Sequence, residues 1–213
     1  MQGQASSLSA RIAGLLETEP AILLFSTGKD SIAAGNLLFT AGITGIIPVF
    51  LYFVKGLAIK QRIIEYYENR WKVKIEQRPH PRALNLKQDR KKYKMSDAEK
   101  SLRAEFNITW IIDGAKKTDS MARRGMMARL TDGVDERNRK IYPLADWNDA
   151  KVMAYIKLNR LMLPVEYQHG FTRDFNVPTI EKLVYLKNNF AADYQKIIAE
   201  FPNLEAMVWN EEN

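Results

Sequence analysis

No cysteine occurs in this sequence. That excludes disulfides, thiolate metal sites, iron–sulfur ligation by the chain's own cysteines and a cysteine nucleophile. Histidine is nearly as scarce, with only His80 and His169, which argues against a histidine-built metal centre. His80 lies between Pro79 and Pro81 and reads as a structural or solvated loop residue near the crevice. No basic-then-apolar leader opens the chain, and no apolar run reaches membrane-spanning length. The expectation is a cytoplasmic protein without a membrane partner. Internal repeats and low-complexity tracts are also missing. Two familiar phosphate-binding glycine patterns are absent as well, the Walker loop and Gly-x-Gly-x-x-Gly. What remains is a chain of 213 residues, 46% hydrophobic, with a net charge of +7. That is enough for one large domain with a real core. The charge suits an anionic ligand, nucleotide or nucleic acid, and equally a solvated basic surface.

The most informative stretch is Ile22–Ser31, reading I-L-L-F-S-T-G-K-D-S. The short apolar run Ala21–Phe25 predicts a strand buried on both faces. Ser26-Thr27-Gly28-Lys29 predicts a tight turn. Asp30-Ser31 is expected to cap the following helix, whose apolar set is Ile32, Ala33, Leu37, Leu38 and Phe39. A helix start after such a turn offers unpaired N–H groups and a positive dipole end, both suited to phosphate.

Around this unit the chain reads in order. Met1–Glu19 becomes an amphipathic helix through Leu8, Ile12, Leu15 and Leu16, stopped by Thr18-Glu19-Pro20. Ile46–Phe53 predicts a second buried strand, 59–70 a helix, and the alternation over Trp71–Gln77 a third strand. Arg82 opens a polar segment. Ser96–Phe106 is expected to be helical, with Ser96 and Glu99 as a capping box. Ile108–Ile112 predicts a fourth strand and Ile141–Leu144 a short extended piece. Asp146–Asp149 caps a helix through Leu158, and Val177 to about Glu200 reads as one helix. The β-α-β-α-β order predicts an α/β fold, a three-layer, doubly wound, mostly parallel sheet with helices on both faces. Residues 1–20 are expected as an N-terminal helix, 21–170 as the α/β domain and 171–213 as a helical extension of it.

A second stretch, Asp113-Gly114-Ala115-Lys116-Lys117-Thr118-Asp119-Ser120-Met121-Ala122-Arg123-Arg124, repeats the strand–glycine–helix logic. In a doubly wound sheet the carboxyl ends of neighbouring strands face one crevice. Lys116 and Lys117 before the helix, with Arg123 or Arg124 one turn in, could clamp an anion held by both loops. Asp132, Asp135 and Glu136 read as a solvated acidic turn. Arg90–Lys94 is a basic run open to nucleic acid but poor in aromatic residues. Met121, Met126 and Met127 read as core or gap-filling residues.

The turn Ser26–Ser31 resembles the PP-loop, Ser-Gly-Gly-x-Asp-Ser, of the adenine nucleotide α-hydrolase-like superfamily. That group includes N-type ATP pyrophosphatases, phosphoadenosine-phosphosulfate (PAPS) reductases and the small subunit of bacterial sulfate adenylyltransferase. Ser26, Gly28, Asp30 and Ser31 match, and Lys29 is common at its position in the PAPS-reductase branch. Thr27 stands where the first glycine belongs, and a positive φ there would strain it. The second stretch is similar to Gly-x-Lys/Arg-x-x-Glu/Asp-Ser-x-x-Arg of the same branch, matched at Lys116, Asp119, Ser120 and Arg123. A third piece, Tyr142-Pro143-Leu144-Ala145-Asp146-Trp147-Asn148-Asp149-Ala150-Lys151-Val152 with Tyr155-Ile156 and Leu163-Pro164, resembles its Pro-Leu-x-Asp-Trp segment.

The resemblance implies a nucleotide site with ATP or PAPS as ligand. Ser26, Thr27, Gly28, Lys29, Asp30, Ser31, Gly114, Asp119, Ser120 and Arg124 would bind nucleotide or phosphate. Lys29, Lys116 and Arg123 would act in catalysis, stabilising the transferred or leaving anion, and Asp30 would cap the helix or help place Mg²⁺. The reductases, however, attack with a C-terminal cysteine that this sequence lacks. The implied activity is therefore ATP cleavage between the α and β phosphates to adenylylate an unknown acceptor. The rivals are PAPS binding with a partner's thiol and a nucleic-acid-binding module on the same fold. Assembly as a homo-oligomer or with a partner protein is left open. Members of the group are often phage-encoded, which would fit nucleotide or nucleic-acid modification.

Overall fold

The computed structural model describes residues 10–87, 92–171 and 179–212. Its centre is the sheet that the sequence predicts. Strands β1 (Ala21–Leu24), β2 (Ile46–Tyr52), β3 (Glu76–Pro79), β4 (Trp110–Ile112), β5 (Val134–Asp135) and β6 (Lys140–Ile141) line up as β3-β2-β1-β4-β6-β5. All neighbours are parallel except β5, which runs antiparallel to β6 at one edge. Because β2 lies on one side of β1 and β4 on the other, the chain reverses direction across the sheet at β1. In such sheets ligands bind where the carboxyl ends diverge.

The helices are α1 (10–16), α2 (Lys29–Thr40), α3 (Ala58–Trp71), α4 (Pro81–Lys87), α5 (Met95–Phe106), α6 (Met121–Met127), α7 (Asp149–Leu158), α8 (Ile180–Asn189), α9 (Ala191–Glu200) and α10 (Asn203–Glu212). Strand residues alternate between two apolar layers, as the pleat requires. Ala21 and Leu23 pack with Ile12 and Leu16 of α1 and Leu38 of α2. Ile22 points the other way, to Leu102 of α5 and Ile111. Phe25, Phe50 and Ile32 join Ile63, Tyr67 and Trp71 of α3 and Val152 and Ile156 of α7. Both faces of the sheet are thus covered. Among the described residues no helix is long and apolar enough to cross a membrane.

Several expectations need correction. The third strand exists but is shifted: of Trp71–Gln77 only Glu76 and Gln77 are in it. α3 runs on through Trp71 and ends where Lys72 turns left-handed at φ 57°. Trp71 stays helical because it fills the space over Gly35, where an added Cβ would lie 2.6 Å from the indole. Tertiary packing outweighs the local period. The third strand is Glu76–Pro79 instead, and Pro79 is tolerated there because β3 is an edge. The segment from Arg82 is not merely polar but part of α4, opened by Pro81 at its first position. α5 is not capped by Ser96. It starts at Met95, and Asp97 accepts a hydrogen bond from the Lys94 N–H at 2.8 Å. The long C-terminal helix is broken at Phe190, and α10 follows Pro202. The methionine reading holds for Met127, which is buried, but Met121 and Met126 are exposed. Leu8 of the expected N-terminal helix, and Arg90 and Lys91 of the basic run, fall outside the described residues.

α8, α9 and α10 form a layer against Phe53, Val54 and Leu57 after β2. Asp193 of α9, 2% exposed, reaches across and accepts hydrogen bonds from the Ala58 and Ile59 N–H groups at 2.8 and 2.9 Å. It is the cap that α3 lacks locally, supplied from 134 residues away. Asp193→Ala would leave one buried and one part-buried donor without the carboxylate, a loss of about 2 kcal/mol. Urea denaturation should show that drop with an unchanged m-value; a shift below half a unit on that scale would contradict the capping role.

Candidate active site

The carboxyl ends of β1 and β4 are adjacent and parallel, with Leu23 paired to Ile112. Each strand is followed by a loop of small and polar residues. The two loops touch through Gly114. A Cβ added there would lie 2.9 Å from the Asp30 carbonyl carbon and 3.1 Å from the Ser31 nitrogen. A glycine is therefore required by close backbone approach, not by its φ.

The Ser26–Ser31 loop is held by its own hydroxyls. Ser31 Oγ donates to the Gly28 carbonyl at 2.9 Å and accepts from the Ser26 N–H at 3.2 Å. Ser26 Oγ accepts from the Gly28 N–H at 3.2 Å and lies 3.2 Å from Ser31 Oγ. The expected capping by Asp30 and Ser31 is corrected here. α2 begins at Lys29, the N-cap is Gly28, and no side chain caps it. Asp30 lies inside the first turn, so its carboxylate points at a neighbouring loop instead. Thr27 has φ 67°. The left-handed turn survives without the glycine, at a backbone cost of about 1–2 kcal/mol. Thr27 is also fully buried, under the loop.

Three cations and three carboxylates meet at the mouth. Lys29 Nζ binds Asp30 at 2.8 Å and Asp149 at 3.0 Å. Lys116 Nζ, 1% exposed, binds Asp30 at 2.7 Å, Asp119 at 2.9 Å and Asp149 at 3.3 Å. Arg123 binds Asp119 at 3.0 Å. Burial disfavours the Lys116 ammonium, but hydrogen bonds to Asp119 and Asp30 outweigh it and raise its pKa. Burial likewise raises the Asp119 carboxyl, yet the Lys116 hydrogen bond and charge bring it below the usual range. The hydrogen bond from Lys29 holds Asp149 low. A depressed carboxylate stabilises the fold above its unfolded pKa and loses that contribution as pH falls through the folded value. Melting temperature should therefore hold steady down to about pH 4 and drop below it. The drop should be smaller in Asp119→Asn; an equal drop in both proteins would contradict the assignment.

Both oxygens of Asp30 are engaged by lysines. Among the described residues no group of three or more His, Asp or Glu could hold a metal ion. As placed, Asp30 is a lysine partner rather than an open Mg²⁺ ligand, and no step below runs through a metal.

Of the residues expected at the site, Ser26, Gly28, Lys29, Asp30, Ser31, Gly114, Lys116 and Asp119 converge on this mouth. Ser120 is the N-cap of α6, accepting from the Arg123 N–H at 3.2 Å. Arg123 reaches the cluster only through Asp119, and Arg124 is exposed. Thr27 faces inward. Sequence reasoning missed four residues. Asp149 was read as a helix cap, although it sits in the third family-like piece; Asn148 is the actual N-cap. Tyr167 accepts a hydrogen bond from the Lys29 N–H at 3.1 Å. Lys60 and Glu166 form a buried pair at 2.6 Å, and nothing in their local sequence signals it. His80 is a turn residue, its Nδ1 accepting from the Arg82 N–H at 3.0 Å. Burial lowers its pKa. Asp132 and Glu136 pair with Arg11 on the surface, while Asp135 caps the turn at Asn138.

The family model for the phosphoadenosine phosphosulfate reductase domain matches residues 20–174. No curated protein matches the chain. Among solved structures, a PAPS reductase from Candida auris, in a phosphate complex, is 12% identical with a TM-score of 0.53, over 81% of this chain and 90% of that one. An NH3-dependent NAD synthetase from Campylobacter jejuni is 14% identical with a TM-score of 0.55, over 98% and 91%. An FMN adenylyltransferase from Candida glabrata, in complex with FMN and an ATP analogue, is 19% identical with a TM-score of 0.53, over 75% and 56%. At these identities the likeness is one of fold. The matched span holds β1, its loop, the lysine cluster and Tyr167 together, and the chain belongs to the phosphoadenosine phosphosulfate reductase domain family, within the PP-loop adenine nucleotide α-hydrolase-like superfamily.

Proposed function

We propose that the chain binds an adenine nucleotide over the β1 and β4 loops and cleaves ATP between the α and β phosphates, transferring the adenylyl group to an acceptor. The observation that carries the proposal is the pair Lys29 and Lys116, brought by separate loops to the same Asp149 oxygen, at 3.0 and 3.3 Å. That oxygen marks a point where two ammonium groups already hold an anion. A phosphate oxygen has the same charge and geometry, and Asp149, with its side chain 70% exposed, is the carboxylate easiest to displace. Cleavage at the α phosphate leaves pyrophosphate as the departing anion. Lys116 and Lys29 would neutralise the charge growing on it and align the chain of phosphates. No protein nucleophile is needed, which fits a sequence without cysteine.

Purified protein incubated with α-labelled ATP and magnesium should release AMP and pyrophosphate, or label an acceptor from a nucleotide and tRNA panel. Ser31→Ala should weaken ATP binding about tenfold, because the loop loses three hydrogen bonds while the core is untouched. Unaltered calorimetric affinity would remove the loop from the site.

Family membership supports a second reading, that PAPS is the ligand and the reducing thiol comes from outside this sequence. Tight PAPS binding without α–β cleavage of ATP would favour it. A nucleic-acid reading would rest on the basic run Arg90–Lys94 and on Lys87 just before it. Lys87 is paired with Glu200 and residues 88–91 are outside the described residues, so no observation favours it.

A further inference from the structure

Beneath the loop lies a group of three buried polar residues that the proposed chemistry does not use. Lys60, in the first turn of α3, is 3% exposed; Glu166, in the turn Val165–His169, is 0% exposed; Thr27 is 0% exposed. Lys60 Nζ donates to Glu166 Oε1 at 2.6 Å and to Thr27 Oγ1 at 3.2 Å. Among the described residues, Glu166 Oε2 has no hydrogen-bond partner. An ion pair so far from water, with one carboxylate oxygen unsatisfied, is a poor device for stability alone. Among the described residues, its hydrogen bond to the loop goes to the hydroxyl of Thr27. That residue occupies the one left-handed position of the loop, at φ 67°, with a stiff β-branched side chain.

We propose that Lys60 and Glu166 are positioning residues for the nucleotide loop. Lys60 fixes the Thr27 hydroxyl and so holds the backbone in the conformation that a glycine would adopt unaided. Glu166 keeps the Lys60 ammonium aimed at Thr27 in the dry interior. The neighbouring Tyr167 touches the loop from the mouth, through the Lys29 N–H. One short turn thus grips the loop from inside and from outside. The inference rests on the reading of this loop as an oxyanion cup, and it makes that cup conditional on a side-chain lock.

The test replaces the pair without leaving a lone charge, as Lys60→Met with Glu166→Leu, and then adds Thr27→Gly. Titrations with ATP, PAPS and pyrophosphate are read beside the crystal structure of each variant. The double variant should fold, lose affinity about tenfold, and show Thr27 outside the left-handed region. Adding Thr27→Gly should restore affinity to within about threefold of wild type, since glycine needs no lock. A purely structural pair would not give that rescue. Should the double variant fail to fold, Thr27→Val carries the test, keeping the branched shape but removing the hydroxyl; it should bind weakly where Thr27→Gly binds normally. Wild-type affinity with Thr27 still left-handed in the double variant would overturn the proposal, as would loss without rescue. If the wild type binds none of the three ligands, the nucleotide reading fails instead, and the Thr27 conformation in the variant crystals still decides whether the lock exists.

Discussion

Lys116→Met should lower ATP or PAPS affinity by more than about a hundredfold, a loss of roughly 3–5 kcal/mol when a buried charge partner is removed. Lys116 is the one residue that joins all three carboxylates of the mouth, at 2.7, 2.9 and 3.3 Å. Its ammonium is nearly sealed from water. Methionine matches its length but leaves Asp30, Asp119 and Asp149 repelling one another around an apolar tip. Lys29 would still hold Asp30 and Asp149, and Arg123 would still hold Asp119. The fold should therefore survive with a lowered melting temperature, most of all near neutral pH. At low pH the gap between variant and wild type should narrow as Asp119 and Asp149, whose pKa values Lys116 lowers, become protonated. A variant that binds ATP within threefold of wild type, as about 0.6 kcal/mol would allow, would place the nucleotide elsewhere.

Gly114→Val should be equally severe through a different cause. The nearest atoms to an added Cβ are backbone, Asp30 C and O and Ser31 N, at 2.9 to 3.1 Å. Backbone at the start of a twelve-residue helix does not yield as a side-chain tip would. The β4 loop must retreat, carrying Lys116 away from Asp30. Overpacking of this kind costs about 1–3 kcal/mol or more, and nucleotide binding should fall below detection in the same titration. Gly114→Ala should lie between valine and wild type. The contrast with Gly42 is informative: its Cβ position is open, but its φ is +74°. Alanine there should cost some stability and leave binding intact. A Gly114→Val protein with normal affinity would show that the two loops need not touch.

Much of this was legible because the signals were local. A five-residue apolar run, a hydroxyl-rich turn and an apolar set on one helix face lie within twenty residues of one another, and β1, its loop and α2 form from that order. The same holds for β4, Gly114 and Lys116. What escaped notice is held together across long sequence distances. Asp193 caps a helix that starts 135 residues earlier. Lys60 meets Glu166 across 106 residues, and Lys29 meets Tyr167 across 138. No period or motif marks such partners, because each looks like an ordinary surface residue until the chain closes. The early start expected for the third strand has the opposite origin. Its alternation was real, but Trp71 found a better place over Gly35 than any sheet face could offer.

The balance of charge at the mouth has a kinetic side. Lys29, Lys116 and Arg123 are matched one for one by Asp30, Asp119 and Asp149. Seen from a Debye length away, about 8–10 Å in ordinary buffer, such a cluster casts almost no field. It does not draw polyphosphates in from solution. Any electrostatic steering must come from the remaining excess of basic residues over the rest of the surface. Selectivity then belongs to the exchange itself, in which an arriving anion must outcompete a tethered carboxylate that is always at hand. Simple chloride or acetate would gain little from that trade, whereas a ligand with several linked phosphates could engage both lysines at once.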